Sequence, residues 1–199
     1  MEPLICIHAD ESCLGNRTDR DSPGGAGGLV EVWKDEVWHR RDLWICDPAT
    51  TNNRMALAGA SAILNALKKS SRIIFFSDSS YLVNGLREWT HSWARRGWTR
   101  KSGPIENLDL WKALTVAVRR HEVDPRWVRG HAGDARNEYV DHLATRAAKK
   151  QMNSHGLVAS GFVEWLEKQR ETRERFLDYF EHVPPPEEER FDPIPPIPG

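Results

Sequence analysis

The sequence predicts an α/β protein: a five-stranded mixed sheet flanked by helices, followed by a C-terminal helical arm and a Pro-rich tail. Three observations support this fold class. Three strand-like runs come first, helical and strand-like segments then alternate, and the composition becomes charged and Pro-rich beyond about residue 156. Strands followed by alternating helices and strands are typical of a mixed sheet that helices cover.

The first strands lie near the N-terminus. Residues 3–9 alternate as the side chains of a strand do, and this strand is predicted to end at Asp10. The Gly-rich segment ESCLGNRTDRDSPGGAGG is predicted to be a loop. The runs LVEVW and EVWHRRDLWIC follow, and Lys34 with Asp35 indicates a hairpin turn between them. The order predicts three sequential strands.

Helices and a fourth strand follow. Apolar residues recur with helical spacing over residues 52–69, and Thr51 or Asn52 is available as the N-cap. The apolar run RIIFFSD predicts a strand that ends at Asp78. Two more helices are predicted, over residues 81–89 and 108–121.

The last strand and core helix precede a change of character. RWVRG predicts a short fifth strand, and Asp134 is a suitable N-cap for a final core helix, ARNEYVDHLATRAAKK, whose last turn is basic as the helix dipole prefers. We expect a core domain over residues 1–152 and a helical extension over residues 153–183. Residues 184–199 are acidic and Pro-rich, which predicts a disordered tail.

Composition limits the function classes. The 28 Lys and Arg residues nearly balance the 29 Asp and Glu residues, so any nucleic-acid surface must be a local basic patch. The sequence shows no signal pattern and no apolar run of about 18 residues, so we expect no membrane association. Cys6, Cys13 and Cys46 are odd in number and lack metal-site spacing, which favours reduced thiols in a cytoplasmic protein.

Acidic residues mark a candidate metal site. Asp10 and Asp78 each end a predicted strand, where ligand sites gather in open α/β sheets. Asp141 lies in the middle of the final helix, and Glu138 is one turn earlier on nearly the same face. Clustered carboxylates repel one another unless a cation neutralises them, so Mg²⁺ or Mn²⁺ is the expected occupant. Two such ions about 4 Å apart can promote phosphodiester cleavage, and His131, in a Gly-flanked loop, could transfer protons.

These residues also have structural interpretations. A single aspartate at a strand end is commonly a cap or turn residue. Glu138 alone would be a solvated helix charge, and His131 alone a loop imidazole bonded to backbone. Three acids in one plausible order favour the metal site over these alternatives.

Six motifs in one order resemble ribonuclease HI: HADESCLGN, TTNNRM, FFSDSSYLVNG, HSWARRGW, NLDLW and WVRGHAGDARNEYVDHLA. The resemblance covers roughly residues 4–149. It implies a ribonuclease H-like fold and metal-dependent endonucleolytic cleavage of the RNA strand of an RNA/DNA hybrid by a monomer. The family's catalytic, metal-binding aspartates match Asp10, Asp78 and Asp141, and its mobile-loop histidine matches the catalytic candidate His131.

The same resemblance implies a surface for the hybrid. A basic segment interleaved with tryptophans matches the family's basic protrusion, which grips the DNA strand and supplies salt-dependent phosphate binding. Further polar residues match positions that contact the backbone or sugar, although they could equally be caps. The implied nucleic-acid-binding residues are Asn16, Thr51, Asn52, Ser80, Asn84, Trp89, Trp93, Arg95, Arg96 and Trp98. Trp89 and Trp93 could equally be helix packing.

Ala56 departs from the family pattern, which has at this position a glutamate that helps hold one metal and contacts the ribose 2′-hydroxyl. Glu11, where the family has glycine, is either a surface charge, since adjacent strand residues point to opposite faces, or a partial replacement for the missing acid. The leading interpretation is an active ribonuclease HI, and the alternative is a hybrid-binding protein that has lost most catalysis. A related exonuclease is disfavoured because such enzymes carry Asp-x-Glu on the first strand, whereas Ser12 stands here.

Overall fold

The computed structural model describes residues 4–15, 22–130, 133–179 and 190–199. Its strands are β1 Ile5–Cys13, β2 Ser22–Lys34, β3 Val37–Thr50, β4 Arg72–Ser77, β5 Glu122–Trp127 and β6 Val158–Ala159. Its helices are α1 Asn52–Ala66, α2 Ser80–Asn84, α3 Thr90–Arg95, α4 Leu108–Val118, α5 Ala135–Lys150 and α6 Phe162–Arg173, and a π-helical turn, Gly85–Trp89, joins α2 to α3. Within the described part of the chain, no helix is both long and apolar enough to cross a bilayer.

The sheet is mixed, and its order is β5-β4-β1-β2-β3-β6. β1 pairs in parallel with β4, and β4 with β5, whereas β2 pairs antiparallel with both β1 and β3. This confirms the α/β class and the mixed sheet. The described sheet has six strands rather than five, because β6 pairs with the edge of β3 through Arg41 and Asp42. A strand of two residues leaves too short a pattern for sequence periodicity to detect.

Helices cover both faces of the sheet. α1 and α4 pack on one face, where Leu57, Ile63 and Trp111 belong to the main core cluster. α5 covers the opposite face, where a second cluster forms around Leu29. Leu29 and its neighbour Val30 belong to different clusters because successive strand residues point to opposite faces.

The Gly-rich segment after residue 21 is strand and not loop. β2 begins at Ser22, and the glycines allow α5 to approach its backbone closely. A Cβ at Gly25 would lie 2.3 Å from the Ala144 carbonyl oxygen, and one at Gly27 would lie 2.5 Å from that of Val140. The sequence prediction failed because it treated glycine as a loop residue, whereas here glycine serves close packing of a helix on a strand.

Two strand boundaries also differ from the prediction. β1 continues past Asp10 to Cys13, because β2 pairs with it up to that residue. β5 spans Glu122–Trp127, so it begins before the predicted RWVRG run and ends within it. Asp124 and Pro125 concealed this strand, but proline is tolerated at an edge and the buried Asp124 carboxylate accepts hydrogen bonds from Arg87 and Arg126.

The C-terminal helix is part of the second core. Phe162 and Leu166 of α6 are 0% exposed and pack with Leu29, Tyr139 and Leu143. The arm therefore completes the layer that α5 begins over the sheet.

Phe162→Ala is expected to lower the free energy of unfolding by about 3–5 kcal/mol, because it removes a fully buried ring and leaves a cavity. Glu164→Ala on the exposed side of the same helix is the control, with an expected change of about 0.5 kcal/mol or less. Urea unfolding of both variants measures the difference, and equal midpoints would show that the arm is not part of the core.

Residues 190–199 lie against β5 and α4. The Ile194 N–H donates to the Val123 carbonyl at 2.9 Å, and Arg119 Nε donates to the Ile197 carbonyl at 3.0 Å. Ile197 is buried in the main core cluster. These contacts contradict the predicted disorder for residues 190–199. The edge of β5 offers backbone acceptors, and the non-proline residues of a Pro-rich segment can still donate to them.

Candidate active site

The acidic site forms where the parallel pairing of two central strands ends. The last parallel partners are Ala9 and Ser77, so Asp10 and Asp78 are the next residues on each chain segment. One carboxylate oxygen from each of Asp10, Glu11 and Asp78 lies within 4.8 Å of the others. The structure therefore brings together two of the aspartates that the sequence singled out and adds Glu11.

Glu11 reaches this cluster from a different face of the sheet than Asp10. Asp10 pairs with Gly27, and a Cβ on Gly27 would meet α5. Directly paired residues share a face of the sheet, so the Asp10 side chain points toward α5. Glu11 pairs with Ala26, whose Cβ contacts Gly59 of α1. The Glu11 side chain therefore lies on the side of α1, and it is half-buried rather than a free surface charge.

Ala56 lies on the same side as Glu11. It is 5% exposed, belongs to the main core cluster, and precedes Gly59 by about one turn of α1. Thr51 caps this helix by accepting a hydrogen bond from the Arg54 N–H, as the sequence indicated. A longer side chain at position 56 would start from the face of α1 that covers Glu11.

Burial and the neighbouring carboxylates raise the pKa values of Asp10 and Glu11. Burial is the largest cause for Asp10, followed by repulsion from Asp78, Glu11 and then Asp141, while the Glu11 N–H donates to Asp10 Oδ1 at 2.7 Å and opposes the shift. Burial and Asp78 raise the pKa of Glu11 to about 8. The cluster thus holds negative charge that its own environment disfavours.

Asp141 lies outside the cluster of Asp10, Glu11 and Asp78, but its charge affects the pKa of Asp10. It is a half-buried residue of α5, the helix toward which Asp10 points, and its charge contributes to the raised pKa of Asp10. Asp134 fixes the start of α5 by accepting hydrogen bonds from the N–H groups of Arg136 and Asn137, as predicted. Glu138 instead accepts a hydrogen bond from Arg175.

Two residues that sequence analysis did not single out position Asp78. The Trp127 indole N–H donates to the Asp78 carbonyl at 3.0 Å, and a Cβ at Gly130 would lie 2.4 Å from Asp78 Oδ2. The available sequence signal was the glycine that precedes His131. His131 and Asn16 lie outside the described residues, so their predicted roles stay predictions.

A groove of about 710 Å³ borders the acidic cluster. It brings together Glu11 and Asp78 with three of the predicted nucleic-acid-binding residues, Thr51, Asn52 and Ser80. Asn84 is exposed at the end of α2 and is not among the residues that line this groove. Arg54, which the sequence analysis did not mark, also lines it and donates to Asp109.

The tryptophans of the basic segment pack together and also border a second groove. The rings of Trp89 and Trp93 lie 5.8 Å apart, and both pack against Trp111. Trp89, Trp93 and Arg96 line a groove of about 560 Å³. Arg95 is exposed nearby, whereas Trp98 packs against the main core cluster with a positive φ of 63°. Trp89 and Trp93 therefore pack with other aromatic rings and also line a surface groove.

The metal-free protein is expected to lose stability as pH rises from about 5 to 9. The folded state raises the pKa values of Asp10 and Glu11, so their contribution is full below about pH 4 and is lost as pH rises through the raised values, about 8 for Glu11. Thermal midpoints of the parent and Glu11→Gln in EDTA measure this effect. The variant should show a smaller decrease, and parallel curves would contradict it.

The mixed sheet and the acidic cluster where its parallel pairing ends define an α/β protein with a candidate metal site. Residues 2–149 match the family model described as RNase H, and the chain belongs to that family.

Relatives and solved structures agree with this assignment. The chain is 44% identical to Ribonuclease H of Shewanella amazonensis over 146 residues, covering 73% of this chain and 88% of that protein. It is 44% identical to Ribonuclease HI of Pseudomonas aeruginosa over 144 residues, covering 71% and 91%. The crystal structure of LC9-RNase H1, described as "a type 1 RNase H with the type 2 active-site motif", matches with a TM-score of 0.85 and 46% identity over 98% of this chain and 94% of that one.

Proposed function

We propose that this chain is an endonuclease that hydrolyses the RNA strand of RNA/DNA hybrids with Mg²⁺ or Mn²⁺ as cofactor. The observation that carries the proposal is the cluster of Asp10, Glu11 and Asp78, whose carboxylate oxygens lie within 4.8 Å of one another. It occurs in a chain that shares its family and 44% of its matched residues with ribonucleases H.

The acidic cluster fits a hard divalent cation. Its donors are all carboxylate oxygens, which Mg²⁺ and Mn²⁺ prefer, and burial together with mutual repulsion raises the pKa values of Asp10 and Glu11, an effect that a bound cation would oppose. Bound to these oxygens, the cation would stabilise the negative charge that develops in phosphodiester hydrolysis. Asp10, Asp78 and Asp141 are the proposed ligands from the family pattern, and Glu11 is the proposed fourth.

The protein's own residues orient this cluster. The Glu11 N–H holds the Asp10 carboxylate, the Trp127 indole holds the Asp78 carbonyl, and Gly130 leaves room for the Asp78 carboxylate. We assign His131 the transfer of a proton during attack or product release, on the basis of its sequence position.

Glu11 favours an active enzyme over the alternative, a hybrid-binding protein weakened by Ala56. The Glu11 carboxylate lies in the cluster on the side of α1, the side from which the family's helix glutamate would come. LC9-RNase H1 is described as a type 1 RNase H with the type 2 active-site motif, so a type 1 framework accommodates a different active-site motif.

The surface beside the cluster supports a nucleic-acid substrate. Thr51, Asn52 and Ser80 line the groove that holds Asp78 and Glu11, and they offer neutral hydrogen-bonding groups to sugar and phosphate. We assign Asn16 and Asn84 to the same strand contacts from their sequence positions. The basic segment with Trp89, Trp93, Arg95, Arg96 and Trp98 is the proposed contact for the DNA strand, where its cations would release counterions.

We further infer that the protein acts as a cytoplasmic monomer. Cys6, Cys13 and Cys46 are free thiols, as expected in a reducing compartment. The acidic cluster is built from a single chain, so one copy carries the proposed ligands.

A cleavage time course tests the proposed function. End-labelled RNA/DNA hybrid, double-stranded RNA and double-stranded DNA of one sequence are incubated with the protein in Mg²⁺, in Mn²⁺ and in EDTA. We expect internal cuts in the RNA of the hybrid with either cation and none in EDTA. Binding of the hybrid without cleavage in both cations would instead support the hybrid-binding alternative.

A further inference from the structure

A third groove lies between α5 and α6, outside the surface assigned above. Its volume is about 600 Å³, and one wall comes from the C-terminal extension beyond the region matched by the family model. Its lining includes Asp141, His142, Arg146, Trp165, Lys168 and Arg173. The extension thus adds a concave surface next to α5 as well as a second core.

This groove and the first groove flank the acidic cluster. Glu11 and Asp78 line the first groove, whereas Asp141 lines the groove between α5 and α6. A strand whose phosphate lies at the cluster must continue in both directions. If one direction follows the first groove, the other leads past Asp141 toward α6.

Three basic side chains line the groove between α5 and α6, and they could pair with the phosphates of a nucleic-acid backbone. Lys168 and Arg173 are exposed on α6. Arg146 also lines the groove, and its guanidinium lies 4.5 Å from the centre of the Trp44 ring.

Three carboxylates also line this groove, and two of them are engaged by other groups. Glu138 is paired with Arg175, and Asp141 belongs to the proposed metal site. Glu164 is exposed at the first turn of α6. The rings of His142 and Trp165 lie 6.4 Å apart, and both residues line the groove.

We propose that the groove between α5 and α6 binds the backbone of the cleaved RNA strand, on the side of the scissile phosphate away from the first groove. This inference rests on the proposed function, because it assumes that a hybrid is the substrate. It makes the C-terminal extension part of the substrate surface and lengthens the hybrid that the protein contacts.

The test uses the full chain, EDTA to prevent cleavage, and a long RNA/DNA hybrid. Lys168→Gln with Arg173→Gln removes two groove cations, and Lys68→Gln with Lys69→Gln is the control with the same charge change. The control residues lie between α1 and the start of β4, whereas Asp78 follows the end of that strand. We expect the groove variant to bind about five- to tenfold more weakly and to reduce the slope of log affinity against log salt by about 2. The control should bind as the parent does.

Methylphosphonate substitutions identify the strand. Neutralising RNA phosphates on one side of the cut should weaken binding by the parent but not by the groove variant, since both changes remove the same contacts. Neutralising the DNA strand should weaken both proteins equally. The inference is wrong if the groove variant keeps the parent's affinity and salt slope, or if its affinity falls no more than that of the control. It is also wrong if methylphosphonates in the DNA strand, rather than in the RNA strand, weaken the parent but not the groove variant. A parent that neither binds nor cleaves the hybrid would overturn the proposed function itself.

Discussion

Asp78→Asn is expected to reduce hybrid cleavage by about 10²- to 10³-fold or more while leaving hybrid binding largely intact. Asp78 and Asp10 carry carboxylates from adjacent parallel strands into one cluster, and the amide lacks the charge that would hold a divalent cation. Single-turnover cleavage in Mg²⁺ and hybrid binding in EDTA measure the two effects separately.

Asp109→Asn is a suitable control for Asp78→Asn. Asp109 is an exposed carboxylate that pairs with Arg54 at 3.1 Å, close to the same groove but outside the cluster. It removes one acid of the same type without touching the proposed ligands, so its cleavage rate should stay within a few-fold of the parent. Near-normal turnover by Asp78→Asn would contradict the metal-site assignment.

Glu11→Gly is expected to cause the second large loss, about 10²-fold or more in Mg²⁺, because it removes the carboxylate that reaches the cluster from the side of α1. Ala56→Glu alone should do little or reduce activity, since Ala56 is buried in the main core cluster and the acidic cluster already holds the Glu11 carboxylate on the side of α1. Combining Glu11→Gly with Ala56→Glu should restore a substantial part of the rate, because the new carboxylate replaces the old one from α1.

Metal titrations of these variants provide the measurement. The single Glu11→Gly variant should need a higher Mg²⁺ concentration for half-maximal rate than the parent. The double variant should need a lower concentration than the single variant. Glu11→Gln keeps the size of the side chain and separates loss of charge from loss of packing. If Glu11→Gly cleaves like the parent at every metal concentration, Glu11 is not a ligand and the three aspartates suffice.

The types of most helices and strands follow from local patterns. Helical spacing in α1, the Asp134 cap of α5 and the apolar run of β4 are local signals, and the structure confirms each element. The acids at positions 10 and 78 were also identified from their places at or beyond strand ends. Their proximity follows from parallel pairing of β1 with β4.

Other features depend on neighbours that no local pattern names. Gly25 favoured a loop in the sequence, but in the structure it allows close contact between β2 and α5. Asp124 argued against a strand, but two arginines bind its buried carboxylate. In the sequence Phe162 is one apolar residue in a charged helix, whereas in the structure it is buried in the second core cluster.

The sequence by itself determined the α/β class and the alternation of strands and helices, and it marked Asp10, Asp78 and Asp141 as candidate ligands, because periodicity and residue chemistry are properties of short segments. Only the tertiary structure decided that Glu11 joins Asp10 and Asp78. The expectation that adjacent strand residues point to opposite faces is correct, but β1 continues to Cys13, and at this point in the sheet both faces border the same cluster. Which face a residue shares with a helix is set by strand register and helix packing, and these are fixed by contacts between segments distant in sequence.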